Sequence, residues 1–189
     1  LHEYAEKTEY KGKLTVFATD AHGFALAHAS KGIYEAERLK NISDERLSRY
    51  FIPEGIDRYQ VIKQLRSSVV FASHNLLRDP PFTRIDLVSC RNLLIYLKSD
   101  AHAHVLALLN FALRPNGLLL LGSSEGVGRL ASSFNTLHSA HKLYRKIREA
   151  RPVLEFSGAR ASLPFQTPLH AWPAATRMTV PLDRQTLHD

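Results

Sequence analysis

Three polar strings that end apolar runs hold the side chains best suited to chemistry. Asp20 closes the β-rich run Leu14-Thr15-Val16-Phe17-Ala18 and stands before a helical pattern, Phe24 to Lys31, stopped by Gly32. An acid at the carboxyl end of a strand and just ahead of a helix can accept two hydrogen bonds from the hydroxyls of a ribose. One such aspartate alone is more often a helix cap or a loop residue, but two further strand ends add weight. Asn75 follows Val69-Val70-Phe71-Ala72, and Arg91-Asn92 follows Ile85-Asp86-Leu87-Val88. An Asn carboxamide offers the donor and acceptor that suit an adenine edge, and Leu76 and Leu77 offer apolar walls. Three such strand ends describe a nucleoside site. No glycine-rich loop precedes Leu14, where the first strand of a nucleotide-binding sheet would carry one.

A competing motif, Gly122-Ser123-Ser124-Glu125-Gly126, matches G-x-S-x-G and follows a strand, as a nucleophile elbow does. A hydrolase built on Ser124 needs an acid and then a histidine downstream. No acid lies between Ser124 and the histidines His138 and His141, other than Glu125 within the motif itself. The acids Glu149 and Glu155 come after them, so only His170 or His188 in a proline-rich tail would remain. Cys90 at a strand end reads as a small buried residue, with nothing nearby to favour a thiolate. His102 and His104 are two apart on a helical pattern, hence on different faces, and are expected to face solvent rather than a metal. Asp79-Pro80-Pro81-Phe82 is a stiff stretch that punctuates the loop into the next strand.

These side chains must be positioned by alternating strands and helices. The chain has 189 residues, a formal net charge of +7 and 44% hydrophobic residues, which is ordinary for a globular domain. Ser99-Asp100 is expected to cap a helix whose apolar positions Val105, Leu106, Leu108, Leu109, Ala112 and Leu113 recur at helical spacing. That helix ends in the turn Arg114-Pro115-Asn116-Gly117, with the strand Leu118 to Leu121 directly after it. Apolar strands separated by helices predict a parallel α/β sheet covered on both faces, with ligands outside the carboxyl ends of its strands. Residues 43–66 break that rhythm and read as an insertion forming a small antiparallel subdomain. Residues 134–147 keep a helical spacing at Leu137, Ala140, Tyr144 and Ile147, yet Lys142-Leu143-Tyr144-Arg145 alternates as an edge strand does.

Composition narrows the partners. Lysines and arginines are interspersed with acids, without the basic, aromatic-laced stripe of a nucleic-acid binder, so nucleic acid is not expected. No apolar run approaches the ~20 residues that span a bilayer, so no membrane insertion is expected either. One cysteine excludes an intrachain disulfide and any multi-cysteine metal centre. Five of the nine prolines fall after residue 150. Residues 1–150 are therefore expected to be one folded part, with 151–181 an extended linker and 182–189 the possible opening of a further domain. The start lacks both an initiator Met and a signal-peptide pattern, and reads as a piece of a longer polypeptide.

Taken in order, the strings Phe17-Ala18-Thr19-Asp20, Lys31-Gly32-Ile33-Tyr34, Arg49-Tyr50-Phe51, Val69 to Leu77, Asp79-Pro80-Pro81-Phe82, Cys90-Arg91-Asn92-Leu93-Leu94-Ile95-Tyr96, Leu113-Arg114-Pro115-Asn116-Gly117 and Leu121-Gly122-Ser123-Ser124-Glu125 resemble a known family. They are similar to CheR-type chemotaxis protein-glutamate O-methyltransferases, especially those within CheB/CheR fusion proteins, over residues 14–146. The resemblance implies a class I S-adenosylmethionine-dependent methyltransferase fold, a Rossmann-like sheet of which this chain holds the later part. On that template Asp20 is the ribose-binding acid, Asn75 and Leu76 flank the adenine, and Arg91-Asn92 form the next cofactor-contacting strand end. Tyr96 lies near the methyl-transfer centre, with Arg91 offsetting negative charge. The insertion 43–66 corresponds to the β-subdomain that helps engage receptors, and Lys142 to Arg145 to the last strand.

The resemblance further implies a cytoplasmic enzyme. S-adenosylmethionine would be its methyl donor and S-adenosylhomocysteine its product. The cytoplasmic helices of chemoreceptors, and adjoining signalling domains of the same polypeptide, would be its partners. Two departures stand out. The family's first strand, its glycine-rich loop and its N-terminal helical domain have no counterpart before Leu14, and the second acid of the strand-end Asp-x-Asp is His22 here. The chain alone is accordingly expected to be incompetent or nearly so in catalysis. A non-catalytic docking module is the alternative from a different class, with the serine hydrolase third.

Overall fold

The computed structural model describes residues 1–149, so the proline-rich stretch 151–189 lies outside the described residues. The best-packed part comes last in the chain. Strand β6 (Ile85–Cys90), helix α5 (Ser99–Ala112) and strand β7 (Leu113–Leu121) form a β-α-β crossover, and β6 and β7 pair in parallel. Strands β8 (Phe134–His138) and β9 (Leu143–Lys146) follow as an antiparallel hairpin, giving the order β6-β7-β9-β8. Leu94, Val105, Leu106, Leu109, Leu113, Leu119, Leu121, Phe134 and Tyr144 make one buried apolar cluster. The apolar spacing of α5 therefore points where its period predicts, onto the sheet.

Three expectations change here. Ser99-Asp100 does not cap α5: the cap position is Lys98, with no side-chain hydrogen bond, and Asp100 sits in the first turn. There it still complements the positive end of the helix. The turn Arg114 to Gly117 lies inside β7 rather than before it. Ile85 pairs with Leu113 and Leu87 with Leu118, so the four residues between bulge out opposite Asp86. Asn116 takes the left-handed conformation at φ 63°, and Arg114 Nη1 meets Asp86 Oδ1 at 2.7 Å across the bulge. The ambiguous residues 134–147 form two strands, and β9 lies between β7 and β8 instead of at the edge. Its alternation is real: Tyr144 and Lys146 are buried while Arg145 is exposed.

Lys146 is 2% exposed, and its ammonium donates to the carbonyls of Asn110 (2.8 Å) and Leu113 (2.7 Å). A cation thus satisfies carbonyls that the end of α5 leaves unpaired.

The earlier part is organised differently. Strands β1 (Val16–Asp20) and β5 (Val69–Ser73) pair in parallel as a sheet of two, from Val16 opposite Val69 to Asp20 opposite Ser73. Helix α2 (Gly23–Lys31) packs against both and ends at Gly32, whose φ of 64° is the left-handed cap that glycine tolerates. The antiparallel subdomain is present and larger than 43–66. It recruits β2 (Ile33–Glu35), and with β3 (Phe51–Pro53) and β4 (Arg58–Val61) gives the order β2-β4-β3. Ser43 caps α3 (Asp44–Tyr50) by accepting from the Arg46 amide, and α4 (Lys63–Arg66) leads into β5. Helix α1 (His2–Lys7), where the sequence pattern announced no element, is tied to α3 by ion pairs from Glu3 to Arg46 and from Glu6 to Arg49.

Candidate functional site

Asp20 and Asn75 come together because β1 and β5 run in parallel. Their carboxyl ends are neighbours, and the His74 amide donates to the Asp20 carbonyl at 3.0 Å. The Asp20 carboxylate is exposed and receives the His22 amide on Oδ1 at 2.8 Å. His22 thus contributes its backbone, where a second acid would have contributed a side chain. Asn75 opens a tight turn: its Oδ1 accepts from the Leu77 amide at 3.0 Å, and its own amide donates to Asp79 Oδ2 at 2.7 Å. Asp79 therefore sets the backbone that carries Asn75, which makes Asp79-Pro80-Pro81-Phe82 more than punctuation. Phe82 adds to this by packing its ring against Phe17 of β1 and against His74, with centroids 5.4 and 4.8 Å apart. The two leucines separate in role. Leu77 is exposed, whereas Leu76 packs onto the apolar cluster of the later sheet and ties the β5 turn to it.

The second group lies beyond β6. Arg91 and Asn92 are exposed at its carboxyl end, and Tyr96, in the 3-10 turn Leu94–Tyr96, is 79% exposed. Leu94 in the same turn is fully buried, so one residue anchors the loop while its neighbours are displayed. The structure brings these three together, and brings Asp20 to Asn75. Between the two groups the shared element is Leu76.

The residue that sequence reading left without a role is Glu125. It is 5% exposed, and four backbone amides converge on its carboxylate. Gly122 (2.6 Å) and Asn92 (3.0 Å) donate to Oε2, while Leu93 (2.9 Å) and Leu94 (2.7 Å) donate to Oε1. Burial pushes this carboxyl up, but the hydrogen bonds from Gly122, Leu94, Asn92 and Leu93 outweigh it and hold it below the ordinary value. An acid four residues past the end of an apolar strand was the available signal. It was read as part of G-x-S-x-G and of the family string Leu121 to Glu125, with no role of its own.

The structure gives that motif no elbow. A nucleophile elbow runs from strand to α-helix, whereas this turn leads to the 3-10 helix Gly128–Ser133, with the Glu125 carboxylate filling its interior. Ser123 and Ser124 are exposed, and His138 and His141 stack on each other in the β8–β9 connection. Burial, followed by the nearby Glu125 charge, pushes the Cys90 thiol up to about 11, as expected of a non-nucleophilic cysteine. His102 and His104 are half-buried rather than solvent-facing. The two main concavities among the described residues lie elsewhere, one beside His2, Arg49 and Tyr50, the other beside Arg84, Phe111 and Arg114. The candidate residues occupy an open surface.

Comparison with known proteins agrees with this arrangement. Residues 1–143 match the family model described as CheR methyltransferase, SAM binding domain. The chain is 36% identical over 164 residues to an uncharacterized 104.1 kDa protein in the hypE 3'region of Rhodobacter capsulatus, covering 87% of this chain and 16% of that protein. It is 36% identical over 121 residues to the chemotaxis protein methyltransferase Cher2 of Pseudomonas putida, covering 63% of this chain and 44% of the relative. Against the chemotaxis protein methyltransferase of Escherichia coli K12 it is 36% identical over 133 residues, covering 65% and 45%. The chain thus spans less than half the length of each of these relatives. Its parallel strand pairs, its crossover helix and the closing antiparallel hairpin are those of a class I, S-adenosylmethionine-binding methyltransferase fold, and the chain belongs to the CheR methyltransferase family.

Proposed function

We propose that this chain carries the later part of a protein-glutamate O-methyltransferase whose substrates are glutamates on the cytoplasmic helices of chemoreceptors. The observation that carries the reading is the adjacency of the carboxyl ends of β1 and β5, where Asp20 lies opposite Ser73 and accepts from the His74 amide, and Asn75 follows directly. S-adenosylmethionine supplies, when bound, an electrophilic methyl group on a sulfonium centre. The residues fit its nucleoside in two respects. Asp20 is exposed and keeps Oδ2 without a partner among the described residues, so it can accept from a ribose hydroxyl. Asn75 spends its oxygen on the Leu77 amide, which leaves its NH2 group for an adenine ring nitrogen.

A substrate glutamate is ionised at neutral pH, so this chain has no proton to remove from it. What remains is alignment and exclusion of water. Tyr96 positions the incoming carboxylate, and Arg91 offsets its charge before transfer. Asn92 contributes backbone at the same strand end. The antiparallel subdomain of β2, β3 and β4 is the receptor-facing element in this reading. The cytoplasm is where those helices would be met, and no helix among the described residues is long and apolar enough to cross a membrane. Residues 151–181 then act as the linker to a neighbouring signalling domain, which 182–189 would open.

The test is calorimetric titration of S-adenosylhomocysteine into the 189-residue chain and its Asp20→Ala variant. Binding that weakens by about tenfold or more in the variant, the worth of a charge-assisted hydrogen bond, supports the reading. A folded chain that takes no ligand would leave two readings, a fragment that needs its missing half and a docking module. A chain extended upstream that still takes no ligand would favour the module.

A further inference from the structure

We propose that Glu125 is the positioning residue of the Arg91–Tyr96 loop, its buried carboxylate standing in for a bound anion and fixing the conformation that displays Arg91, Asn92 and Tyr96. The proposal deepens the function above and rests on it for the role of the displayed side chains. Four features support it. The amides of Asn92, Leu93 and Leu94 are consecutive, and three successive N–H groups turned to one point form an anion-binding concavity. The fourth donor, Gly122, belongs to the other strand of the parallel pair, so the carboxylate staples the carboxyl end of β6 to that of β7.

Asn92 is left-handed at φ 57°, a conformation that asparagine tolerates but that needs local support, and its amide is one of the four donors. Finally, Gly122 has no room for a side chain. A Cβ there would meet Asn92 Oδ1 at 2.6 Å and Glu125 Oε2 at 2.7 Å. The turn after β7 and the loop after β6 are therefore built to approach each other with only this carboxylate between them.

An ion held by four backbone donors resists substitution by its own amide. In Glu125→Gln the new NH2 group would face two N–H donors and accept from neither. Two of the four hydrogen bonds would then be lost, those of Leu93 and Leu94 or those of Asn92 and Gly122 according to the oxygen replaced, while the Leu94 side chain, packed in the core, still anchors the loop. Removing the side chain altogether leaves an empty cradle of the right size for a small carboxylate.

The experiment follows the backbone amides and the Tyr96 ring of the isotope-labelled chain by NMR, with S-adenosylhomocysteine titration alongside. In Glu125→Gln, amide exchange at one of these pairs, Leu93 with Leu94 or Asn92 with Gly122, should accelerate about tenfold or more, and Tyr96 should become more mobile, while Val105 and Leu119 stay unchanged. In Glu125→Ala, formate should restore the loop amides, and chloride at equal ionic strength should not. Gly122→Ala should loosen the same loop with no response to formate, because its carboxylate is still present. Loop amides and a Tyr96 ring in Glu125→Gln that match the unaltered chain, with the core intact, would overturn the proposal. So would equal effects of formate and chloride. Ligand binding that falls in Glu125→Gln ties the staple to the cofactor side of the site. An unaltered chain that binds no S-adenosylhomocysteine counts against the proposed function alone, and the amide and formate results then decide the positioning role.

Discussion

The two parallel strand pairs of this chain are chemically alike and physically unlike. In the β6–β7 pair, β7 lies between β6 and β9 and packs against α5, and Leu119 at its centre is 0% exposed, although Leu87 on the edge strand β6 is 39% exposed. In the β1–β5 pair, Phe17 is 48% and Val70 36% exposed, although both sit in strands that read as fully apolar. Among the described residues, Leu39 is the single buried hydrophobic side chain before Cys90. Parallel strands are normally covered on both faces, and a sheet of two has an open edge on each side. The first pair thus owes its order to α2 and to the Phe17–Phe82–His74 stack, not to a core of its own. Half of the proposed site, Asp20 with Asn75, stands on this lightly packed pair, and the other half, Arg91 to Tyr96, stands on the pair that shares the buried cluster. The two halves are unequal in packing.

The contrast breaks most clearly by truncating one apolar strand residue in each pair. Leu119→Ala should cost about 2–5 kcal/mol, the transfer free energy of the lost carbons plus a cavity that β7 and α5 cannot close. Val70→Ala removes a side chain already in contact with water and should cost about 1 kcal/mol or less. Denaturant midpoints of the two variants measure this. Equal losses would mean that the two pairs unfold as one packed body. Lys146→Met comes next. It keeps the side-chain volume but removes the ammonium that donates to the carbonyls of Asn110 and Leu113 and pairs with Glu149, at about 1–3 kcal/mol. A variant as stable as the parent would show that water replaces the ammonium there.

Much of the site was legible because it rests on local strings. A polar residue directly after an apolar run marks a strand end, and the parallel arrangement then gathers such ends at one edge, as with Asp20 and Asn75. Glu125 escaped because its partners are backbone groups, which every residue possesses and which leave no complementary side chain in the sequence. The carbonyls on Lys146 escaped likewise, although its ion pair with Glu149 is three residues away. The bulge in β7 was seen as a turn because Arg114-Pro115-Asn116-Gly117 has turn chemistry. Only the pairing of Ile85 with Leu113 reveals that the strand begins before it. The subdomain boundary at residue 43 came from a break in the strand–helix rhythm. It missed Ile33–Glu35, whose three residues are too few to carry a period.

Acid sharpens the comparison further, since a buried carboxylate held below its ordinary value joins the ends of β6 and β7. The Glu125 carboxyl is held below its ordinary value of 4.5 in the folded chain. Its stabilising contribution is therefore complete above that value, and it is lost as pH falls through the lower, folded one. The Cys90 thiol, the other titrating group facing it, stays protonated throughout this window. Thermal melts between pH 6 and pH 3 should show a decline from β6–β7 that is shallower in Glu125→Gln. An identical decline would assign acid sensitivity to other carboxylates.

The smallest effect belongs to the first helix. Helix α1 reaches the rest of the chain through the fork of Arg46 on Glu3, at 2.8 and 2.7 Å, through Arg49 on Glu6, and through His2 near Ser68. The hydrogen bond from Arg46 holds the Glu3 carboxyl below its usual range, but the pair is open to water. At 1 M salt, where the screening length is about 3 Å, exposed pairs lose most of their attraction. Amide exchange in α1 should then rise, as it should in Glu3→Gln at low salt, while the β7 amides and the main melting transition stay in place. A melting transition that fell with α1 would mean that this helix covers apolar surface of the first region. The poor packing around β1 and β5 would then be a property of their interior alone, and not of what shields them.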